Sequence, residues 1–187
     1  MKANPMPILP FFKSFPPKGI KEARIFYGSG TVFSENVCIE PNVSIGKNCF
    51  IGTNTVIRNG TVIGDNCVVG HLVLIEKNVK MGHDSTVQSQ CSITQGTTIG
   101  NFVFIGPCVV TANDLPMVKY HPERGPFICD APVFEDRCSV GAASHILPGV
   151  VIGESAVVGM GSTVTQSVPP GETWFGVKAR RKEDMTC

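Results

Sequence analysis

Residues 27–110 read YGSGTVFSENVCIEPNVSIGKNCFIGTNTVIRNGTVIGDNCVVGHLVLIEKNVKMGHDSTVQSQCSITQGTTIGNFVFIGPCVV, and an aliphatic or aromatic side chain returns at every sixth position. The anchors are Phe33, Ile39, Ile45, Ile51, Ile57, Ile63, Val69, Ile75, Met81, Val87, Ile93, Ile99 and Ile105, without a slip. Glycine often follows, as at Gly46, Gly52, Gly64, Gly70, Gly82, Gly100 and Gly106. Four places after an anchor stands a small or β-branched residue, among them Val43, Cys49, Thr55, Cys67, Val79, Ser85 and Val103. A period of six fits neither the 3.6 of a helix nor the alternation of a free-standing strand, so the unit is a repeat. Each hexad offers a short strand whose anchor and anchor+4 side chains point inward, then a corner at the glycine positions, where positive φ is cheap. Three hexads close a triangular coil, and coils pair ~4.8 Å apart. The expected fold is all-β, a parallel β-helix solenoid.

Outward from this stretch the pattern stops twice. Residues 1–26 carry Pro5, Pro7, Pro10, Pro16 and Pro17 among Phe11, Phe12 and Phe15, and read as an arm or cap over the open end of the solenoid. After Val110 the register fails, and residues 111–132 are rich in proline and charge. It resumes at Phe134, Val140, Ile146, Ile152, Val158 and Val164, so the β-helix spans 27–168 with one inserted loop at 111–132. A long loop within a solenoid maps to one face and is usually functional. Residues 169–187 leave the repeat as a second cap with a basic run, Lys178, Arg180, Arg181 and Lys182.

With 187 residues, 42% hydrophobic and 17% charged, the chain suffices for one buried core. A net charge of +1 leaves no electrostatic footprint for nucleic acid or an acidic membrane. No apolar run approaches a membrane span, and prolines interrupt the faintly signal-like opening, so a cytoplasmic protein is expected. The eight cysteines have no C-x-x-C spacing, and no metal is expected. Cys49, Cys67, Cys91 and Cys138 hold anchor+4 slots, which suits free core thiols. The alternative, a Cys49–Cys67 bridge between successive coils, is disfavoured in a reducing compartment.

Particular segments carry a resemblance. Residues 103–107, VFIGP, leading to Ala112-Asn113-Asp114, look like the sugar N-acetyltransferases of the hexapeptide-repeat acyltransferase superfamily. So do residues 141–149, GAASHILPG, and the close from Val168-Pro-Pro-Gly171 to Gly176-Val-Lys-Ala-Arg180. The resemblance implies a left-handed helix, a homotrimer, and acetyl-CoA in a groove between subunits. It also implies an acceptor that is an amino group on a nucleotide-linked deoxysugar, destined for surface polysaccharide. Asn113 matches the asparagine beside the reacting amine, with Ala112 where the family has Thr. Pro107, Ala142 and Met160, with Lys178, Arg180 and Arg181 at the CoA phosphates, are the expected cofactor contacts. Gln88, Gln95, Asp114, His121 and Arg124 are the expected substrate contacts.

The chemistry asks for alignment of a neutral amine with the thioester, a stabilised oxyanion and a destination for the proton. Among four histidines His71, in the same column as Ser89 and Pro107, is the first choice of general base. His83 holds the same slot on another corner, His121 lies in the loop and His145 sits at anchor+5. The alternative is that no side chain serves, Asn113 holding the amine while the departing thiolate takes the proton. Gln95 and Asn113, eighteen apart, should be stacked neighbours. O-acetylation of a small hydroxylated acceptor and a non-catalytic assembly subunit are the competing functions. A γ-type carbonic anhydrase would need two zinc-binding histidines close in sequence, and none are.

Overall fold

The computed structural model describes residues 25–114, 121, 123, 125–177, 180 and 181. Strands of two or three residues recur with the hexad, from Ile25–Tyr27 and Val32–Phe33 to Val110–Thr111, and again from Val133–Phe134 to Thr163–Val164. They stack into three sheets of seven, nine and seven strands, and up to Thr163–Val164 each strand lies beside those three before and three after it. We call these faces A, B and C, opened by Ile25–Tyr27, Val32–Phe33 and Cys38–Ile39. Pairing is parallel throughout the coils: on face A Met81 lies between Ile63 and Ile99, and on face B Val87 lies between Val69 and Ile105. The first strand opens two residues ahead of the expected boundary, with Ile25 and Phe26 already paired to Val43 and Ser44.

The two inward positions fill the triangle. Anchors from Ile39 to Ile105 and the anchor+4 residues from Val43 to Val109 are at most 4% exposed. Each fully buried aliphatic anchor contributes about 1.5–3 kcal/mol of transfer free energy. Polar residues are tolerated at anchor+4 because each reaches a backbone carbonyl, Thr97 and Ser162 that of the residue three before them and the others one of the following coil. Thr55 Oγ1 donates to Gly70 O at 2.7 Å, Ser85 Oγ to Gly100 O at 2.8 Å and Cys67 Sγ to Gly82 O at 2.9 Å. The core cysteines are free thiols, as expected. Burial pushes the Cys91 thiol up to about 11 and that of Cys138 up to about 12, so both stay protonated at neutral pH.

The corners differ from the sequence expectation. Positive φ sits at anchor+3, in Asn36, Asn42, Asn48, Asn54, Asn66 and Asn78, with Gly60 and Gly96 in the same slot. Asparagine tolerates the left-handed region better than most side chains. The glycines at anchor+1 have a different cause, the approach of the next coil. A Cβ on Gly52 would stand 2.5 Å from Gly70 C and 2.7 Å from His71 N, distances that no real side chain occupies.

After Asn113 the chain leaves the coil. Thr98 pairs with Val133 and Val110 with His145, shifts of 35 instead of 18, so the excursion adds 17 residues. It rejoins at Asp130, whose N–H donates to Asn113 O at 3.0 Å, while Gly149 N–H donates to Asp130 O at 2.8 Å. The ends of the expected loop therefore belong to the solenoid: Thr111 pairs with Ile146, and Pro132 is buried in an anchor+4 slot. The distal cap also continues a ladder, with Thr173 and Trp174 parallel to Val157 and Val158 and Arg180–Arg181 folding back antiparallel on them. At the opposite end Tyr27 packs edge-on against Phe33, 5.3 Å between ring centres. No helix among the described residues is long and apolar enough to cross a membrane.

The two corner devices separate under substitution. Gly52→Ala must push two coils apart, and should lower the melting temperature by more than 4 °C, about 2 °C or more per kcal/mol in a chain of this size. Asn54→Ala should cost about 1 kcal/mol and Asn54→Gly close to nothing. Thermal melting of the three variants checks this, and an unchanged midpoint for Gly52→Ala would contradict it.

Candidate functional site

Two corners collect the candidate residues. At the corner between faces B and C the anchor+2 positions of successive coils are Thr53, His71, Ser89, Pro107, Ala142 and Met160. The excursion leaves this file intact, since Ile105 pairs with Val140 and Ala143 N–H donates to Pro107 O at 2.8 Å. In its lower part, side chains cap the backbone of the coil before. Thr53 N–H donates to His71 Nδ1 at 2.9 Å, and His71 N–H to Ser89 Oγ at 3.1 Å. Equivalent caps stand at the A–B corner, where Lys47 N–H meets Asp65 Oδ1 and His83 N–H meets Asn101 Oδ1. Higher in the file Pro107, Ala142 and Met160 offer no acceptor. No hydrogen bond among the described residues uses the N–H of Ser89, Ala142 or Met160. Met160, 77% exposed, overhangs this amide-lined edge. The strand Arg180–Arg181 lies beyond it on face B, and Arg181 Nη1 is 4.0 Å from Glu172 Oε1.

The geometry turns His71 away from the role of general base. An Nδ1 that accepts from Thr53 leaves the proton of neutral imidazole on Nε2, so the outward nitrogen is a donor. Phe50 packs edge-on against the ring at 5.8 Å, which holds it in place.

The corner between faces C and A carries the second cluster. Asn113 stacks on Gln95 as the eighteen-residue spacing requires, but the bond runs from Asn113 Nδ2 to the backbone carbonyl of Gln95, at 3.1 Å. It is not a ladder of side-chain amides. Cys129, arriving on the return limb of the excursion, has its sulfur 3.4 Å from Asn113 Nδ2 and 3.3 Å from Gln95 O. Asp114 begins the excursion, and Asp130 ends it beside Asn113. Cys129 and Asp130 escaped the sequence reading because nothing in the repeat pattern marks where the loop re-enters. The one available signal was Pro132, two residues before the anchor Phe134 and so in an anchor+4 slot.

The structure does not bring His71 and Asn113 together within one protomer. They occupy different corners, and Asn113 is separated from Pro107 of its own coil by a face at most about 20 Å wide. Gln88 sits at the same corner as His71, one residue before Ser89 of the file, at the anchor+1 place usually held there by glycine. His121 is exposed on the excursion with Nδ1 3.1 Å from Glu123 Oε1. Arg124 and Lys178 lie outside the described residues, as does the arm before residue 25.

Comparison with known proteins matches two families. The GMPPB C-terminal domain family covers residues 33–116, and the hexapeptide repeat of succinyl-transferase covers residues 133–166. Among curated proteins, a 2,3,4,5-tetrahydropyridine-2,6-dicarboxylate N-succinyltransferase of Variovorax paradoxus (strain S110) is 47% identical over 49 residues, 24% of this chain and 18% of that protein. The same enzyme of Dechloromonas aromatica (strain RCB) is 39% identical over 56 residues, 27% of this chain and 21% of that protein. The chain thus spans about a fifth of the length of these relatives. Among solved structures, a Bacillus cereus protein assigned as an acetyltransferase is 25% identical with a TM-score of 0.50, covering 87% of this chain and 78% of its own. AntD, an N-acyltransferase from Bacillus cereus crystallised with dTDP and coenzyme A, shares the fold at 19% identity and a TM-score of 0.55, over 83% and 80% of the two chains.

The tautomer of His71 is directly measurable. Nitrogen-15 shifts of the neutral imidazole should place the proton on Nε2, and His71→Ala should lower stability by about 1 kcal/mol through the orphaned Thr53 amide. His71→Asn, which keeps an acceptor, should recover much of that. A proton on Nδ1 would contradict the geometry.

Proposed function

We propose that this chain, which carries the hexapeptide repeat of the acyltransferase superfamily, is an acetyl-CoA-dependent N-acyltransferase. Its acceptor is an amino group on a nucleotide-linked deoxysugar, of the kind used in surface polysaccharides, and its setting is the cytoplasm. The observation that carries the reading is the pairing of two unlike corners on one rigid solenoid. One is a file of unengaged backbone amides at Ser89, Ala142 and Met160, suited to an extended acceptor-rich chain such as the pantetheine of CoA. The other is a polar ledge at Asn113, walled by the excursion. Arg180 and Arg181 follow the amide file and suit the CoA phosphates, and Asp114 and Gln95 suit the sugar.

Because the two corners stand a face apart, a second copy is needed to bring an amide file against a ledge. Closed three-fold symmetry does this three times over. Outward-facing Val68, Phe104 and Val157 on face B and Val62 on face A are exposed apolar surface that such packing would cover. The homotrimer is thus part of the proposal.

In the reaction Asn113 accepts an N–H of the neutral amine and directs its lone pair at the thioester carbonyl. The C–N bond forms, the C–S bond breaks, and the thiolate leaves with the proton released by nitrogen. No histidine is required, and alignment supplies most of the rate. The second reading, an assembly module, is favoured by the longer family match, in which the coil is a C-terminal domain.

The test is release of free thiol from acetyl-CoA with a panel of nucleotide-linked amino sugars and their hydroxyl counterparts. Turnover is expected with an amine, with Asn113→Ala about 10²-fold slower and His71→Asn near wild type. Calorimetry that finds no CoA binding would overturn the reading in favour of assembly, and turnover confined to hydroxyl acceptors would make it an O-acyltransferase.

A further inference from the structure

Both hydrogens of the Asn113 carboxamide nitrogen have partners, Gln95 O at 3.1 Å and Cys129 Sγ at 3.4 Å. A carbonyl only accepts, so the nitrogen and not the oxygen of the amide must face Gln95. The thiol of Cys129 gives its own hydrogen to the same carbonyl at 3.3 Å, which leaves the sulfur lone pairs for Asn113. The three groups close on one another, and Oδ1 is the only polar atom of the Asn113 side chain left without a partner in this ring. Space for the sulfur comes from Gly96. A Cβ there would stand 3.2 Å from Cys129 Sγ, and the backbone has φ +82. The next residue, Asp130, fastens the same limb through its N–H to Asn113 O at 3.0 Å.

We infer that Cys129 is a positioning residue that fixes the orientation of the Asn113 carboxamide, so that Oδ1 alone meets the acceptor nucleophile. This rests on the reading of Asn113 as the group beside the reacting amine. It also deepens that reading, because a fixed Oδ1 distinguishes nucleophiles. A primary amine donates one N–H to it and still presents its lone pair to the thioester. A hydroxyl spends its single hydrogen on a neutral carbonyl oxygen that cannot remove it, and gains no nucleophilicity. The ring therefore favours N- over O-acylation without a general base. A swivelling amide would present its nitrogen part of the time, a donor that competes for the lone pair the reaction needs.

Two readouts test this on the full-length protein. The first needs no turnover: solvent exchange of the Asn113 side-chain amide protons, in protein labelled with nitrogen-15 asparagine. Exchange should be slow in wild type and in Cys129→Ser, whose hydroxyl can both donate and accept. It should be about fivefold faster in Cys129→Ala, as for one lost hydrogen bond of ordinary strength. Equal exchange in wild type and Cys129→Ala would overturn the inference. The second is kinetic, with acetyl-CoA and dTDP-4-amino-4,6-dideoxyglucose as the amine probe. Cys129→Ala should lower kcat about tenfold with the KM for acetyl-CoA unchanged, Cys129→Ser should recover to within about threefold, and Cys129→Ala should add nothing in an Asn113→Ala background. A loss that persists undiminished in that background, or that serine does not relieve, would assign Cys129 to loop docking and overturn the inference. If wild type fails to acylate any amine of the panel while the exchange pattern holds, the proposed reaction falls and the amide orientation stands.

Discussion

The approach of one coil's backbone to the next is the constraint on which the structure depends. Each turn of the solenoid lies on the one before through hydrogen bonds such as Gly52 N–H to Val69 O and Gly70 N–H to Val87 O, both 2.8 Å. At the A–B and B–C corners the backbones draw close at anchor+1, and glycine fills most of these positions for space, while the C–A corner carries side chains such as Glu40, Arg58 and Glu76 there. The direction change is made at anchor+3 with φ between 53° and 82°, most often by asparagine or glycine and also by Leu72, Asp84, Gln90, Phe102 and Cys108. With positive φ recurring at anchor+3 in every hexad from Gly30 to Cys108, the coil length is fixed locally, and a residue's place on a face, at a corner or in the core follows from its number.

That regularity organises the chemistry. It sets His71, Pro107, Ala142 and Met160 in one file although 89 positions separate the first from the last. It also stacks Asn113 on Gln95 closely enough for a side chain to reach the neighbouring backbone. The same rule makes side chains at anchor+2 into caps for the preceding coil, the structural occupation of His71. Where the file runs into proline, alanine and methionine, backbone donors are left over, and these are what a ligand can use.

The core and faces were legible in the sequence because burial has a strict period. Every anchor from Ile39 to Ile105 and every cysteine in an anchor+4 slot lies where the hexad puts it. The corners were misread for a physical reason. Glycine serves both positive φ and close approach, and the pattern alone does not say which. The run of asparagines at anchor+3 held the answer, since Asn36, Asn42, Asn48 and Asn54 share a slot with Gly60. The candidate site was legible in part: Asn113 and Gln95 follow from register. Cys129 does not, because its place depends on the path of an excursion with no repeat. The tautomer of His71 depends on a contact between coils that spacing suggests but does not specify.

If coil length is fixed by the corners, the excursion is a graft that the solenoid does not need for folding. Removal of residues 115–131 deletes 17 positions, restores the eighteen-residue spacing, places Asp114 in the anchor+3 slot as Asp84 is placed, and keeps Pro132 at anchor+4. Thermal melting of that variant is the most direct test. The account predicts one transition at or slightly above the wild-type midpoint, since shortening a loop lowers its closure entropy. A midpoint lower by ten degrees or more, or loss of the transition, would show that the excursion holds the coils in register, and would contradict the account.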